Sequence, residues 1–261
     1  MSSPGNHLSL SLLLIFSLLS FTCPHSVSSE NHLLLPSNRK FGQDDQLFCE
    51  SWRFSVETND AGIWYIIPTR CFDFVKNYFT GDRYFSDSDV VAGAELEFAK
   101  SINVSGDGKD AWVFDVDETL LFNLPYYELH GYGSEIFDEE SFDEYMLLAK
   151  SPALSASLSL YKELQRLGFT IFVLTGRSEP FRNATEANLR DAGYSNWERL
   201  ILRGPSDKAK LAVEYKSEKR KELVDEGYRI RGNSGDQWSD LLGYAIAQRS
   251  FKLPNTMYYI A

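Results

Sequence analysis

The stretch "DAWVFDVDETLLFN", residues 110–123, decides the fold. Residues 111–115 form a short apolar run of strand length, and the run ends abruptly in acid. Asp115, Asp117 and Glu118 put three carboxylates into four positions, with Thr119 next. Such crowding repels, and residues 110–123 contain no Lys or Arg to offset it. The compensating charge must come from distant parts of the chain or from something bound.

Around this run, strand and helix signals alternate. The runs "FTIFVLT" (169–175), "RLILRG" (199–204), "YRIRGN" (228–233) and "FKLPN" (251–255) predict strands, being β-branched, aromatic or apolar at strand length. Between them, "SLSLYKELQRLG" (157–168) puts Leu158, Tyr161, Leu164 and Leu167 on one helical face. Residues 178–193 predict a helix with Ser178 as cap and Pro180 in its first turn, and 217–227 another, stopped by Gly227. Strands alternating with helices predict a parallel sheet covered on both faces, with ligands beyond the carboxyl ends of the strands. Residues 121–156 break the rhythm. They are rich in Tyr, Phe, Asp and Glu and predict an insertion over that edge. Before the first strand, 30–48 reads as an irregular arm and 49–102 as short helices, one beginning at Ser86 and Asp87. The turn cluster "VSGDGKD" (104–110) closes this part.

Three predicted strands end in reactive groups. The first ends in Asp115-Val116-Asp117, the second in Thr175-Gly176-Arg177, and a third runs into "GNSGDQWSD" with Asp236 and Asp240. Lys216 lies just before a predicted helix. If these strands are parallel neighbours, the groups meet on one edge. Asp115 and Asp117 are two apart, so an extended chain end aims both to one side. Asp236 and Asp240 are four apart, one face of a turn entering a helix. Hard carboxylate oxygens suit Mg²⁺. Thr175 offers a hydroxyl to a phosphate oxygen, and N–H groups from Gly176 into the next helix start add donors. Lys216 offers a point positive charge, with Lys208, Lys210 and Lys219 as competitors for that role. Phosphoryl transfer is chiefly positioning and charge neutralisation, and this set supplies both.

In this order, Asp115-x-Asp117-x-Thr119, Thr175, Lys216 and Gly235-Asp236-x-x-x-Asp240 resemble the four motifs of the haloacid dehalogenase (HAD) superfamily of phosphatases. More narrowly, "FDVDETLLFN", "LTGR", "YKSEKR", "EGYRIRGNSGDQWSDL" and "FKLPNTMYYI", with "FCESWR" and "PTRCFDFV", resemble the plant acid phosphatase and vegetative storage protein family. The resemblance implies an α/β fold: a Rossmann-like three-layer α/β/α core (105–261) with a small cap insertion (121–156) and a helical N-terminal extension (30–104). It also implies Mg²⁺-dependent hydrolysis of small phosphomonoesters, with Asp115 as nucleophile and Asp117 as general acid and then base. Thr175 and Lys216 would hold the phosphoryl group. The Asp115 side chain, the Asp117 carbonyl and the Asp236 side chain would hold the metal, with Asp240 in support. A raised Asp117 pKa is expected, since the group must carry a proton to act as an acid. Some storage members carry serine at the nucleophile position; this chain has Asp115. An enzyme is therefore expected, with an amino-acid reserve as the alternative. The resemblance also suggests a homodimer.

The remaining features concern compartment and exclusions. Residues 7–21 are apolar but short for a bilayer span, and "CPHSVSS" follows, so 1–29 reads as a secretory signal peptide cleaved near Ser28 or Ser29. A soluble product of the secretory pathway is expected, extracellular, in the cell wall or in the vacuole. Residues 1–29 carry no Lys, Arg, Asp or Glu, so the net charge of −11 belongs to the remainder. That charge argues against a nucleic-acid duplex as partner. Cys23 lies in the leader, and Cys49 and Cys71 read as a disulfide in an oxidising compartment, with two separate buried thiols as the alternative. Asn103 and Asn183 open glycosylation triplets. His32 and His130 lack the context of a phosphohistidine or dinuclear-metal phosphatase. Tyr126, Tyr127, Tyr132 and Phe137 either stack on an aromatic leaving group or pack the insertion onto the core.

Overall fold

The computed structural model describes residues 44–261; the predicted leader with its cleavage region, Cys23 and His32 lie outside the described residues. Three helices come first: α1 (Asp45–Glu57), α2 (Phe72–Thr80) and α3 (Asp82–Ser101). Then follow β1 (Asp110–Phe114), α4 (Leu124–Leu129), α5 (Glu139–Leu147), α6 (Ser155–Arg166), β2 (Thr170–Ser178) and α7 (Arg182–Asp191). The chain ends with β3 (Arg199–Arg203), α8 (Ala212–Asp225), β4 (Arg229–Gly235), α9 (Trp238–Leu241), β5 (Arg249–Lys252) and a terminal strap, 253–261.

The five strands form one parallel sheet in the order β3-β2-β1-β4-β5. The chain moves outward from β1 through β2 to β3, then returns to place β4 on the other side of β1. The order therefore reverses between β1 and β4, where an open parallel sheet forms its ligand crevice.

Both faces of the sheet are covered, which is why its strands read as continuous apolar runs. Alternate residues of β1 go opposite ways. Trp112 and Phe114 pack with Leu160, Tyr161 and Leu164 of α6, while Ala111 and Val113 pack with Tyr215 and Leu223 of α8. Helix α3 joins α6 on the first face. Trp112 is fully buried, and an aromatic side chain of this size contributes roughly 4–6 kcal/mol by area. Its indole lies flat against Gly232 of β4, where a Cβ would overlap the ring.

Several boundaries differ from the sequence reading. Helix α1 starts at Asp45, inside the predicted arm, because the Asp44 carboxylate caps it by accepting from the Leu47 N–H at 3.1 Å. Helix α3 starts at Asp82, with Gly81 at its cap position, and not at Ser86. Asp87 is inside the helix, accepting from Arg53 at 3.1 Å and from the Tyr78 hydroxyl at 2.9 Å. Strand β2 runs on to Ser178, and α7 follows only after a short 3-10 turn at Glu179–Phe181. Ser178 makes no side-chain cap. Helix α8 starts at Ala212, so Lys216 stands inside it and not before it. Strand β5 ends at Lys252, where Pro254 has no N–H to extend the ladder.

Cys49 of α1 and Cys71, just before α2, are joined as a disulfide with Cα atoms 5.4 Å apart. Closing this loop contributes on the order of 3 kcal/mol by chain-entropy reasoning. The aromatic residues of the insertion chiefly pack. Tyr126, Tyr127 and Tyr132 are buried, and Tyr127 stacks on Tyr258 of the strap at 5.4 Å between centroids. Phe137 stays half exposed. His130 stacks on Tyr126 at 4.1 Å and has no part in the site below. Among the described residues, no helix is long and apolar enough to cross a membrane.

Candidate active site

The carboxyl ends of β1 and β4 lie side by side at the reversal in strand order, linked by the Asp115 N–H donating to the Ser234 carbonyl at 3.0 Å. Asp115 follows β1 and Asp236 follows β4, and both are buried. Asp240 comes from α9, whose first turn folds it back. One of its oxygens accepts from the Gln237 N–H at 3.0 Å. The glycine of the Gly-Asp motif is required here, because a Cβ on Gly235 would run into the Asp240 carboxylate. One carboxylate oxygen from each of Asp115, Asp236 and Asp240 falls within 4.8 Å of the others.

Lys216 reaches this cluster from the second turn of α8. Its Nζ donates to Asp115 Oδ1 at 2.6 Å and also pairs with Asp240. The competing lysines are engaged elsewhere or exposed. Lys210 pairs with Asp207 and Glu218, Lys219 with Glu222, and Lys208 faces solvent. Burial works against the Lys216 charge, but Asp115 and Asp240 outweigh it, so the ammonium is held above its ordinary pKa. Three buried carboxylates against one lysine leave negative charge over. Burial, and then the neighbouring acids, push Asp115 well above the usual carboxylate range despite Lys216. Burial and Asp240 push Asp236 up to about 6. An all-oxygen cluster with surplus negative charge, closed to solvent, fits a hard divalent cation.

Asp117 does not share the Lys216 contact. It is gripped by Arg177, whose Nη2 donates to Asp117 Oδ1 at 2.6 Å and whose Nε reaches both oxygens at 3.1 and 3.2 Å. Asn123 Nδ2 adds a bond at 2.8 Å. Burial raises the Asp117 pKa, but Arg177 and Asn123 outweigh burial, and the group is held below its ordinary value. This reverses the sequence expectation of a raised Asp117, because that reading gave Arg177 no role. A period-two signal was available: Thr175 and Arg177 are both buried, on the side opposite the exposed Gly176 and Ser178.

Glu118 adopts φ of 52° while fully buried, a left-handed conformation that costs about 1–3 kcal/mol. It is pinned by the Asn123 N–H donating to Oε1 at 2.7 Å and by the Tyr258 hydroxyl. Asp115 pairs with Lys216 and Asp117 with Arg177, so each has its own cation. Thr119 points back, its hydroxyl 3.4 Å from Asp236 Oδ1. Thr175 is fully buried, and its Oγ1 accepts from the Arg177 N–H at 3.2 Å, which leaves its hydroxyl proton to donate. The expected run of helix-start N–H groups after Gly176 is not formed there, since β2 continues. Glu118, Asn123, Arg177, Asn255 and Tyr258 were not read from the sequence as site residues.

The family model for HAD superfamily, subfamily IIIB (acid phosphatase) matches residues 38–261. The chain belongs to this family. As a HAD subfamily IIIB acid phosphatase, it has relatives of two descriptions. It is 54% identical over 216 residues to "Acid phosphatase 1" of Solanum lycopersicum, covering 83% of this chain and 85% of that protein. It is 38% identical over 214 residues to "Vegetative storage protein 2" of Arabidopsis thaliana, covering 81% and 80%. The class C acid phosphatase of Bacillus anthracis with tungstate bound superposes with a TM-score of 0.57 at 22% identity, covering 72% of this chain and 85% of that one. At that identity the likeness concerns the fold alone. HAD phosphatases generally use a divalent metal, and this chain has a buried cluster of Asp115, Asp236 and Asp240 whose oxygens could hold one.

Proposed function

We propose that this chain is a Mg²⁺-dependent acid phosphatase of the secretory pathway that hydrolyses small phosphomonoesters through a phosphorylated Asp115. The observation that carries this reading is the buried Asp115–Lys216 pair beside Asp236 and Asp240. Asp115 stands immediately past the β1 terminus, beside the end of β4. Its carboxylate oxygen attacks phosphorus, and the bond to the ester oxygen breaks as Asp117 delivers a proton to that oxygen. Asp117 then takes a proton from water, the water oxygen attacks phosphorus, and the phosphorus–Asp115 bond breaks to restore the carboxylate. Lys216, the Thr175 hydroxyl and the Gly176 N–H hold the phosphoryl oxygens. Mg²⁺ would be held by the Asp115 and Asp236 side chains and the Asp117 carbonyl, with Asp240 in support, and it supplies neutralisation of the phosphoryl charge. Arg177 aims Asp117 and keeps it ionised at rest, so a working acid form is favoured at low pH.

Secretion is supported by the leader-like residues 1–29. Exposed glycosylation acceptors at Asn103 and Asn183 and the Cys49–Cys71 disulfide point the same way. The storage alternative draws on the relatives carrying that name, and the intact Asp115 weighs against it. Release of p-nitrophenol from its phosphate at about pH 5, with and without Mg²⁺, separates the two. Turnover that requires Mg²⁺ and stops with EDTA is expected. Absence of release at high protein concentration would leave only the storage reading.

A further inference from the structure

The terminal strap reaches the metal cluster through one side chain. Asn255 Nδ2 donates to Asp236 Oδ2 at 2.7 Å. Gln237 Nε2 donates to the same oxygen, also at 2.7 Å. Both amides therefore occupy Oδ2, and Oδ1 is left with only the 3.4 Å contact from Thr119. A carboxylate held in this way presents one defined oxygen and cannot rotate to offer the other. Asn255 is itself fixed from two directions. Its Oδ1 accepts from the Met257 N–H at 2.8 Å, a turn closed by its own side chain. Its backbone N–H donates to Glu57 Oε1 at 3.0 Å, and Glu57 Oε2 accepts from Lys252 Nζ at 2.8 Å. Glu57 is the last residue of α1, the helix stapled by the disulfide.

We infer that Asn255 is a positioning residue for the metal: it locks the Asp236 carboxylate so that Oδ1 faces the cation, with Glu57 anchoring Asn255 from the N-terminal extension. This rests on the reading of Asp236 as a metal ligand. Hydrogen-bond partners of metal-binding carboxylates commonly set affinity by about 10–100-fold. Helix α1 of the N-terminal part thereby gains a part in the chemistry.

The test uses the full chain without substrate and reads Mg²⁺ binding by titration calorimetry. Asn255→Ser keeps a hydroxyl able to close the turn to Met257 but removes the amide that reaches Asp236. Tyr259→Leu alters the same strap through its ring contact with Trp64, away from the acidic cluster. The expected result is Mg²⁺ binding by the parent protein, weakened roughly 10–100-fold in Asn255→Ser and unchanged in Tyr259→Leu. Equal affinity in parent and Asn255→Ser overturns the inference and leaves the metal reading standing. Equal weakening in both variants also overturns it, since the strap would then act only as scaffold. Absence of Mg²⁺ binding by the parent protein overturns the metal reading itself.

Discussion

Asp117 is held by two donors of unequal reach, the Arg177 fork and the single Asn123 amide. Burial alone would favour its neutral form, and Arg177 reverses that balance. An acid catalyst held below its ordinary pKa loses its proton early as pH rises, so the rate declines from a low pH upward. Removing the guanidinium leaves burial dominant, and the carboxyl pKa rises. Arg177→Gln should therefore move the falling limb of kcat/KM against pH upward by about one unit or more. A limb that stays in place would mean that Asp117 does not supply the proton. The acids of residues 110–123 were legible as a site because no local charge offsets them. Arg177 stood in the same "TGR" run as Thr175 but reads as an ordinary arginine until β2 is seen to continue through it. Asn255 and Glu57 are 198 positions apart, and no spacing rule connects them.

Among the elements, strands were easier to read than helix starts. The strands announce themselves as short apolar runs because both sheet faces are covered. Helix α8 opens without a capping side chain at Leu211, so its first turn carries no start signal and Lys216 was placed outside it. Ser86 and Asp87 carry such a signal but are helix interior, with Asp87 spent on Arg53 and Tyr78. Helix α3 is bound to the sheet through a buried polar chain. Trp112 Nε1 donates to Ser234 Oγ at 2.8 Å, and Ser234 donates to Glu95 at 2.6 Å. Burial pushes Glu95 up to about 8, and the Ser234 bond lowers it only in part. An unfolded Glu titrates near 4.3. Between about pH 4.3 and 8 the native state holds a proton that the unfolded chain has lost, so stability falls as pH rises, by up to about 1.4 kcal/mol per unit. Thermal midpoints of the parent protein should be higher at about pH 5 than at about pH 8, and Glu95→Gln, which keeps the acceptor for Ser234, should flatten that slope. An unchanged slope would place the pH sensitivity elsewhere.

For the whole molecule, topology does what no single motif does. Asp115, Asp117, Thr175, Lys216, Asp236 and Asp240 come from β1, β2, α8, β4 and α9. The order β3-β2-β1-β4-β5 brings these elements to one crevice. The crowded acids of residues 110–123 are tolerated because Lys216 pairs with Asp115 and Arg177 with Asp117. Helix α1, tied by the disulfide, and the terminal strap are linked to the same site through Glu57, Asn255 and Asp236.

In the proposed mechanism Asp115 supplies the carboxylate oxygen that attacks phosphorus. Rapid acid quench of the enzyme during turnover of a radiolabelled phosphomonoester, followed by mapping of the labelled peptide, tests it most directly. The expected result is one acid-stable, base-labile phosphoryl group on Asp115, absent from Asp115→Asn. Turnover with no trapped label on Asp115, or Asp115→Asn retaining most of the parent rate, would contradict it.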